Sequence, residues 1–488
     1  MTLLSQRTRS GESSSPTEIL IIVCAGVVLA SLDLFIVNVA LPQIARDLNA
    51  PNLAELSWVL NAYAIVYASL LVFFGRLADR YRRDRAFLLG VAVFTLASAA
   101  CAASSSVGML IAFRVVQAAG AALLTPTSLS LVLASHEPHR RQGAVRAWTA
   151  VGGVAAAIGP VIGGLLVTAS WRWVFLVNVP IGLITMAVAW RRLPRVDGHD
   201  IERPDTLGVV LSAAWVGLLT FGLVEGPDWG WASGSVDAVL AASAVLLALF
   251  VLHCRRSRTP LVDPELFRSR QFTGASVVAV FFSAAFGAML LSVVLWEQDA
   301  WHWSALRSGL GIAPGPLMVP VMSFLVAGHL IRRYGAALVI SLGSLAFAAG
   351  TAWWALAVTS IPDYASGIVG GMLLTGAGVG LTLPTVMATA AGSLPPHAFA
   401  TGSAVVNMIR QAGLAIGVAV LIAVLGQGAT SLTAFQHGWW VIAALSAAGI
   451  IPALTLLHPG RHREQSASSL GRWHGGPAVR SFIFDFKY

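Results

Sequence analysis

Residues 19–41 read Ile-Leu-Ile-Ile-Val-Cys-Ala-Gly-Val-Val-Leu-Ala-Ser-Leu-Asp33-Leu-Phe-Ile-Val-Asn38-Val-Ala-Leu, 23 positions with a single charged side chain. At about 1.5 Å per residue a helix of this length reaches roughly 35 Å, enough to cross a hydrocarbon layer about 30 Å thick. The run exceeds the apolar core of a secretion signal, and no small-residue cleavage site precedes the next polar loop, so a retained helix is expected. A carboxylate in hydrocarbon is costly. Asp33 should therefore face the bundle interior, a wet cavity or a basic partner.

The pattern recurs along the chain. Of 488 residues, 57% are hydrophobic and 11% are charged, where a soluble chain averages roughly 25% charged. Mean hydropathy is +0.77. A soluble enzyme is excluded, as are disordered and collagen-like chains, because the 47 glycines have no three-residue period. Apolar segments are expected near 19–41, 56–76, 86–103, 107–134, 146–168, 173–190, 206–224, 236–253, 272–296, 306–329, 336–358, 363–388, 402–425 and 437–457. The fold class is thus an all-α polytopic membrane protein with 14 crossings and both ends on one side.

Charge sets the orientation. With the amino end in the cytoplasm, the even-to-odd connections hold 19 arginines and the odd-to-even connections three, Arg46, Arg172 and Arg307. The positive-inside rule then places both termini in the cytoplasm. Trp58, Trp171, Trp173, Trp190, Trp296, Trp301, Trp303, Trp439 and Trp440 fall near helix ends, where rings are expected to sit in the headgroup layer.

The formal charge of +9 lies in short basic runs between apolar segments. The lipid bilayer is the expected counterion and nucleic acid is not an expected partner. Cys24, Cys101 and Cys254 share no metal-ligand or redox spacing, so no metal site is expected. No phosphate-binding Gly-rich loop occurs and the connections are short, so no ATP-driven step is expected within this chain.

Two stretches recur in order. Gly75-Arg-Leu-Ala-Asp79-Arg80-Tyr resembles Gly328-His-Leu-Ile-Arg-Arg-Tyr, and Gly120-Ala-Ala-Leu-Leu-Thr-Pro-Thr resembles Gly378-Val-Gly-Leu-Thr-Leu-Pro-Thr. The expected organisation is a tail over 1–18, a six-helix bundle over 19–192, two inserted helices over 206–253, a second six-helix bundle over 271–457 and a tail over 458–488. Paired halves are the architecture of alternating-access transport, with the substrate site between them.

Three motifs make the reading specific: Leu32-Asp-Leu-Phe-Ile-Val-Asn-Val-Ala-Leu-Pro42, Gly75-Arg-Leu-Ala-Asp79-Arg80, and Gly159-Pro160-Val-Ile-Gly163-Gly164. Through them nearly the whole chain resembles the major facilitator superfamily, in its fourteen-helix drug:proton antiporter branch of bacterial multidrug and antibiotic exporters. That resemblance implies a major facilitator fold of two six-helix bundles plus two additional helices.

It also implies residue roles. An arginine at the place of Arg114 takes part in proton transfer, and Asp33 with Arg114 is the expected proton-coupling pair; a snorkelling arginine and a structural aspartate are the plain alternatives. Arg114 and Gln117 are three apart and share a helix face, as do Gln117 and Gly120. Asn38, Gln117, Arg410 and Gln411 are candidates for a polar substrate cavity, and Arg410 could also balance Asp33. Gly75, Asp79, Arg80 and Arg83 belong to the expected cytoplasmic gate. The chain departs from the family pattern there, with Arg82 where a glycine is usual and Asp84 where a basic residue is usual. Gly159, Pro160, Gly163 and Gly164 form the antiporter motif, a nearly side-chain-free helix face that governs the outer gate.

Glu225, Asp228, Glu297, Asp299 and Asp363 fall near odd-to-even connections, so no additional membrane acid is expected in the carboxyl half. The implied function is export of amphipathic small molecules (drugs, antibiotics or toxic metabolites) from the cytoplasm, driven by a proton gradient, without cofactor or catalytic residue, by a monomer in the bacterial inner membrane. The alternatives are a dedicated exporter of one endogenous metabolite or antibiotic, a proton-coupled uptake symporter, and, outside transport, a membrane sensor.

Overall fold

A computed structural model describes residues 15–50, 52–196, 204–394, 399–426 and 431–457. Each expected apolar segment coincides with a helix: α1 (Pro16–Asp47), α2 (Leu53–Arg80), α3 (Arg83–Ala102), α4 (Val107–Ser135), α5 (Pro138–Val167), α6 (Arg172–Arg192) and α7 (Thr206–Trp229). They continue with α8 (Gly234–Arg256), α9 (Arg270–Ala300), α10 (Ala305–Tyr334), α11 (Ala336–Ala357), α12 (Tyr364–Gly392), α13 (Phe399–Leu425) and α14 (Leu432–Leu456). Among the described residues thirteen are long and apolar enough to cross a membrane. The remaining one, α5, shows a shorter apolar stretch, 151–167, among the described residues. The molecule is a multi-pass membrane protein.

Local chemistry fixes the ends. Ser15 and Glu18 form a reciprocal capping box at the start of α1, satisfying donors a helix start leaves free. Ser106 caps α4 through the Met109 amide, and Asp363 caps α12 through the Ser366 amide. Pro126 does not shorten α4, which runs on to Ser135.

Within the first six helices, α1 packs on α4 and α5, and α4 packs on α2 and α3; in the last six, α9 packs on α13, and α11 on α12 and α14. The two sets meet where α2 lies against α13, α5 against α10, and α1 against α9. The pair α7–α8 packs as a hairpin against α2 and α13. Only 17% of the apolar window of α8 is buried, against 78% for α9; α8 therefore sits at the periphery.

The two repeated glycines meet the same neighbour. A Cβ on Gly120 of α4 would lie 2.7 Å from the Phe94 amide nitrogen of α3, and one on Gly378 of α12 would lie 2.8 Å from that of Phe347 on α11. The recurrence thus has a packing cause: two close helix pairs built alike.

The tryptophans correct an expectation. Trp173, Trp190 and Trp440 are exposed, but Trp171, Trp296, Trp301, Trp303 and Trp439 are buried. Trp296 packs edge-on against Trp439 and Phe435, and the Trp439 indole donates to Ser292 Oγ at 3.2 Å. Proximity to a helix end does not reveal which way a ring points; these rings fill the ends of the bundle.

Candidate functional site

Asp33 lies in the middle of α1, fully buried, and so does Arg114 of α4. Arg114 Nη1 donates to Asp33 Oδ2 in a salt bridge. The basic partner is therefore Arg114, and the arginine does not snorkel. Gln117, one turn on, ties the pair together: its Oε1 accepts from Arg114 Nη1 at 2.7 Å and its Nε2 donates to Asp33 Oδ1 at 2.8 Å. The same amide donates to Ser98 Oγ of α3 at 2.8 Å. Asn178 of α6 adds a third donor to Asp33 at 3.2 Å.

Below this network Tyr63 of α2 lies 4.0 Å from the guanidinium carbon, ring face on, and Arg114 Nε donates to the Val59 carbonyl at 3.1 Å. Five helices of one half converge on a single ion pair. Removing two charges from water costs several kcal/mol per ion, offset only when geometry and hydrogen bonds are good. Here the carboxylate accepts from three side chains, so the arrangement meets that condition.

Arg114 also reaches elsewhere. It lines a small, partly open cavity of about 40 Å³ between the halves, together with Asn38 and Asn61 on one side and Leu290, Leu414 and Val418 on the other. A drug-sized site needs about 300–1,000 Å³, so the halves are closed upon one another here. Asn38 lines the cavity as expected, although its amide donates back to the carbonyls of Leu34 and Phe35. Gln117 does not line it and belongs to the buried network. Nor do Arg410 and Gln411: Arg410 donates to Asn407 Oδ1 at 3.0 Å, and it does not balance Asp33.

The glycines of α5 occupy two interfaces. A Cβ on Gly159 would lie 3.2 Å from Phe35 Cβ, and one on Gly163 2.8 Å from Ile36 Cγ1, both on α1. Gly164 turns the other way, against the Ala305–Leu306 backbone of α10, and Gly309 of α10 in turn abuts the Pro160 carbonyl. Side-chain-free surfaces let backbones come this close. The motif thus forms part of the seam between the halves.

At the opposite end, Gly75 faces Pro126, with 3.6 Å available to a Cβ. Asp79 lies in α2, but its side chain falls outside the described residues. Arg80 ends α2, and Arg83 opens α3, where its amide donates to the Val196 carbonyl at 3.0 Å. The two departures from the family pattern answer each other. Arg82 pairs with Asp84 at 2.5 Å, and Asp84 also accepts from the Val196 amide. The ion pair closes the turn that a glycine would otherwise shape.

Sequence reasoning missed Ser98, Asn178, Tyr63 and Asn61, ordinary polar residues without charge. It placed Glu297 near a connection, as it is, in the last turn of α9, but missed that the side chain is fully buried. Its nearness to a connection concealed it.

The sequence model described as Major Facilitator Superfamily matches residues 23–418, and again 277–483. The chain belongs to the Major Facilitator Superfamily. Among superfamily relatives it is 34% identical to the cephamycin export protein CmcT of Amycolatopsis lactamdurans, over 98% of this chain and 99% of that protein. It is also 34% identical to the methylenomycin A resistance protein of Bacillus subtilis, over 86% of this chain and 89% of that one. Among solved structures, the superfamily fold is shared with the POT family transporter PepTSo, with a TM-score of 0.64, 16% identity, and coverage of 93% of this chain and 99% of the other. Membership makes the protein a membrane transporter of small molecules, and its similarity to antibiotic exporters places it in their company.

Proposed function

We propose that the protein is a proton-coupled antiporter that exports amphipathic small molecules from the cytoplasm by alternating access. One observation carries the reading: Arg114 belongs at once to the Asp33 ion pair and to the cavity between the halves. Cargo entering that cavity meets the guanidinium that holds the carboxylate. Displacing Arg114 leaves Asp33 a buried, poorly compensated anion; protonating Asp33 releases Arg114. Each ligand thus changes the free energy of the other, which is the linkage an antiporter requires.

On this reading the arginine-rich connections and both termini face the cytoplasm of a bacterial cell. Gly75, Asp79, Arg80 and Arg83 act at the inner gate, and Gly159, Pro160, Gly163 and Gly164 at the outer one. The proton gradient supplies the energy with no cofactor, and a monomer suffices.

A second reading, a dedicated exporter of one endogenous metabolite or antibiotic, is favoured by the names of the two relatives above, each of which mentions one antibiotic, although other relatives are named multidrug resistance proteins. Reconstitution in vesicles with an imposed pH gradient distinguishes the two. Movement of several fluorescent amphiphiles outward from the cytoplasmic face, collapsed by a protonophore, is the expected result. Movement of one compound class alone supports the dedicated exporter. Gradient-insensitive flux, or uptake, overturns the antiport reading.

A further inference from the structure

Glu297 stands second in a π-helical turn, Trp296–Ala300, that ends α9. Such turns recur at functional sites in helices. The side chain is fully buried, and neither carboxylate oxygen completes a hydrogen bond among the described residues. The Ser308 hydroxyl of α10 is the donor nearest to it, although the two do not reach normal hydrogen-bond geometry among the described residues. Gly311 lies against it too, where an added Cβ would sit 3.0 Å from Oε1.

Arg307 of α10 is the cation that bears on it, but no ion pair joins the two among the described residues. Arg307 of α10 places its guanidinium 4.1 Å from the Trp303 ring centre. Tyr364 of α12 donates its hydroxyl to the Gly311 carbonyl at 2.8 Å. Asp299, in the same turn, has Arg46 of α1 and the His302 ring as its basic neighbours. A carboxylate buried with a single hydroxyl beside it and no ion pair is costly, and the neutral acid is much less so.

The same turn joins the halves. Gln298, the next residue, donates its amide to the Val39 carbonyl of α1 at 3.0 Å. Ser308 precedes Gly309, the residue that meets the Pro160 carbonyl, and follows the Ala305–Leu306 backbone that meets Gly164. The carboxyl group is therefore packed directly behind the α5–α10 seam.

We propose that Glu297 is a second proton-binding site: it takes a proton from the outer face as the α5–α10 seam closes and returns it to that face when the seam opens. The proposal rests on the alternating-access reading above, but not on Asp33 as the coupling carboxylate. Opening the seam gives the turn access to water, where the carboxylate is the ordinary form near neutral pH. Closing takes up one proton, so low pH favours the closed seam and rising pH opens it. The open-to-closed ratio then changes by up to about tenfold per pH unit. The site makes the outer gate responsive to external pH without adding to the protons carried per cycle.

The test is a distance measurement across the seam. Spin labels at the exposed positions Thr168 and Leu310, in purified protein whose three native cysteines are replaced, are followed from about pH 5 to about pH 9. The short-distance population of the unmodified site should fall as pH rises. Glu297→Gln should hold it at every pH, and Glu297→Asp should restore the response with a displaced midpoint. An unchanged response in Glu297→Gln overturns the proposal, as does an undisplaced midpoint in Glu297→Asp or a seam insensitive to pH throughout. Asp33→Asn should keep the response while losing gradient-driven transport. If Asp33→Asn abolishes it and Glu297→Gln does not, the Glu297 proposal fails and the Asp33 reading stands.

Discussion

Where α4 turns Arg114 and Gln117 toward α1 and α3, α12 carries Met372 and Thr375 at the positions 258 residues later. Ser98 of α3, which accepts from Gln117, corresponds to Thr351 of α11 in the register that pairs Phe94 with Phe347. Both threonines bond to carbonyls of their own helix and, among the described residues, to no other side chain. The backbones come together alike, since Gly120 and Gly378 meet phenylalanine backbones at the same closeness. One scaffold thus carries a buried ion pair in one half and apolar packing in the other. The lesson is that the close helix pair is a structural unit, whereas the charges are an addition to one copy of it. A buried ion pair is poor evidence of stabilisation, and the second copy packs without one.

The comparison can be broken first at the charge. Asp33→Asn should reduce gradient-driven transport to background while the protein still inserts, measured by flux in vesicles at equal protein density. Arg114→Met, which gives α4 the residue found in α12, leaves a buried carboxylate unpaired and should cost about 3–5 kcal/mol of stability. Adding Asp33→Asn to it should recover most of that loss, and a double-mutant cycle on denaturation reads the coupling. Strictly additive losses would mean that the pair is not a unit.

The shared scaffold is tested more gently. Gly120→Ala and Gly378→Ala each press a methyl group on a neighbouring backbone and should cost about 1–3 kcal/mol, alike in the two halves. A large inequality in thermal unfolding would show that the two helix pairs are not equivalent. The smallest effect belongs to the caps, Ser106 on α4 and Asp363 on α12. Hydrogen bonds from the side chain and backbone of Ser366 hold the Asp363 carboxyl below its ordinary range. Its contribution is therefore complete above the ordinary carboxylate value and lost as pH falls through the lowered one. Asp363→Ser should flatten that slight acid-side dependence in melting curves, with its small loss of stability appearing at neutral pH and vanishing in acid.

The helices were legible because hydrocarbon demands long apolar runs, and the arginines of the connections stand out against them. Asp33 and Arg114 were legible for the same reason, as rare charges inside such runs. What joins them was not. Gln117 shares a face with Arg114, but nothing in the spacing says that this face meets α1 rather than the cavity. Asn178 and Ser98 are common residues whose place in the network depends on which helices converge. Arg410 shows the converse, since an isolated charge in α13 finds Asn407 of its own helix and leaves Asp33 alone. Glu297 was read as a connection residue because a π-helical turn and its burial by α10 are properties of packing, which hydropathy does not record.

The central claim is that Asp33 and Arg114 link a proton to the cargo cavity. Its most direct measurement is proton release from purified protein in weakly buffered solution on addition of a transported compound, compared with Asp33→Asn. The account predicts release from the unaltered protein and none from the variant, with binding of the compound retained. Equal release from both would contradict it and place the coupled proton on another group.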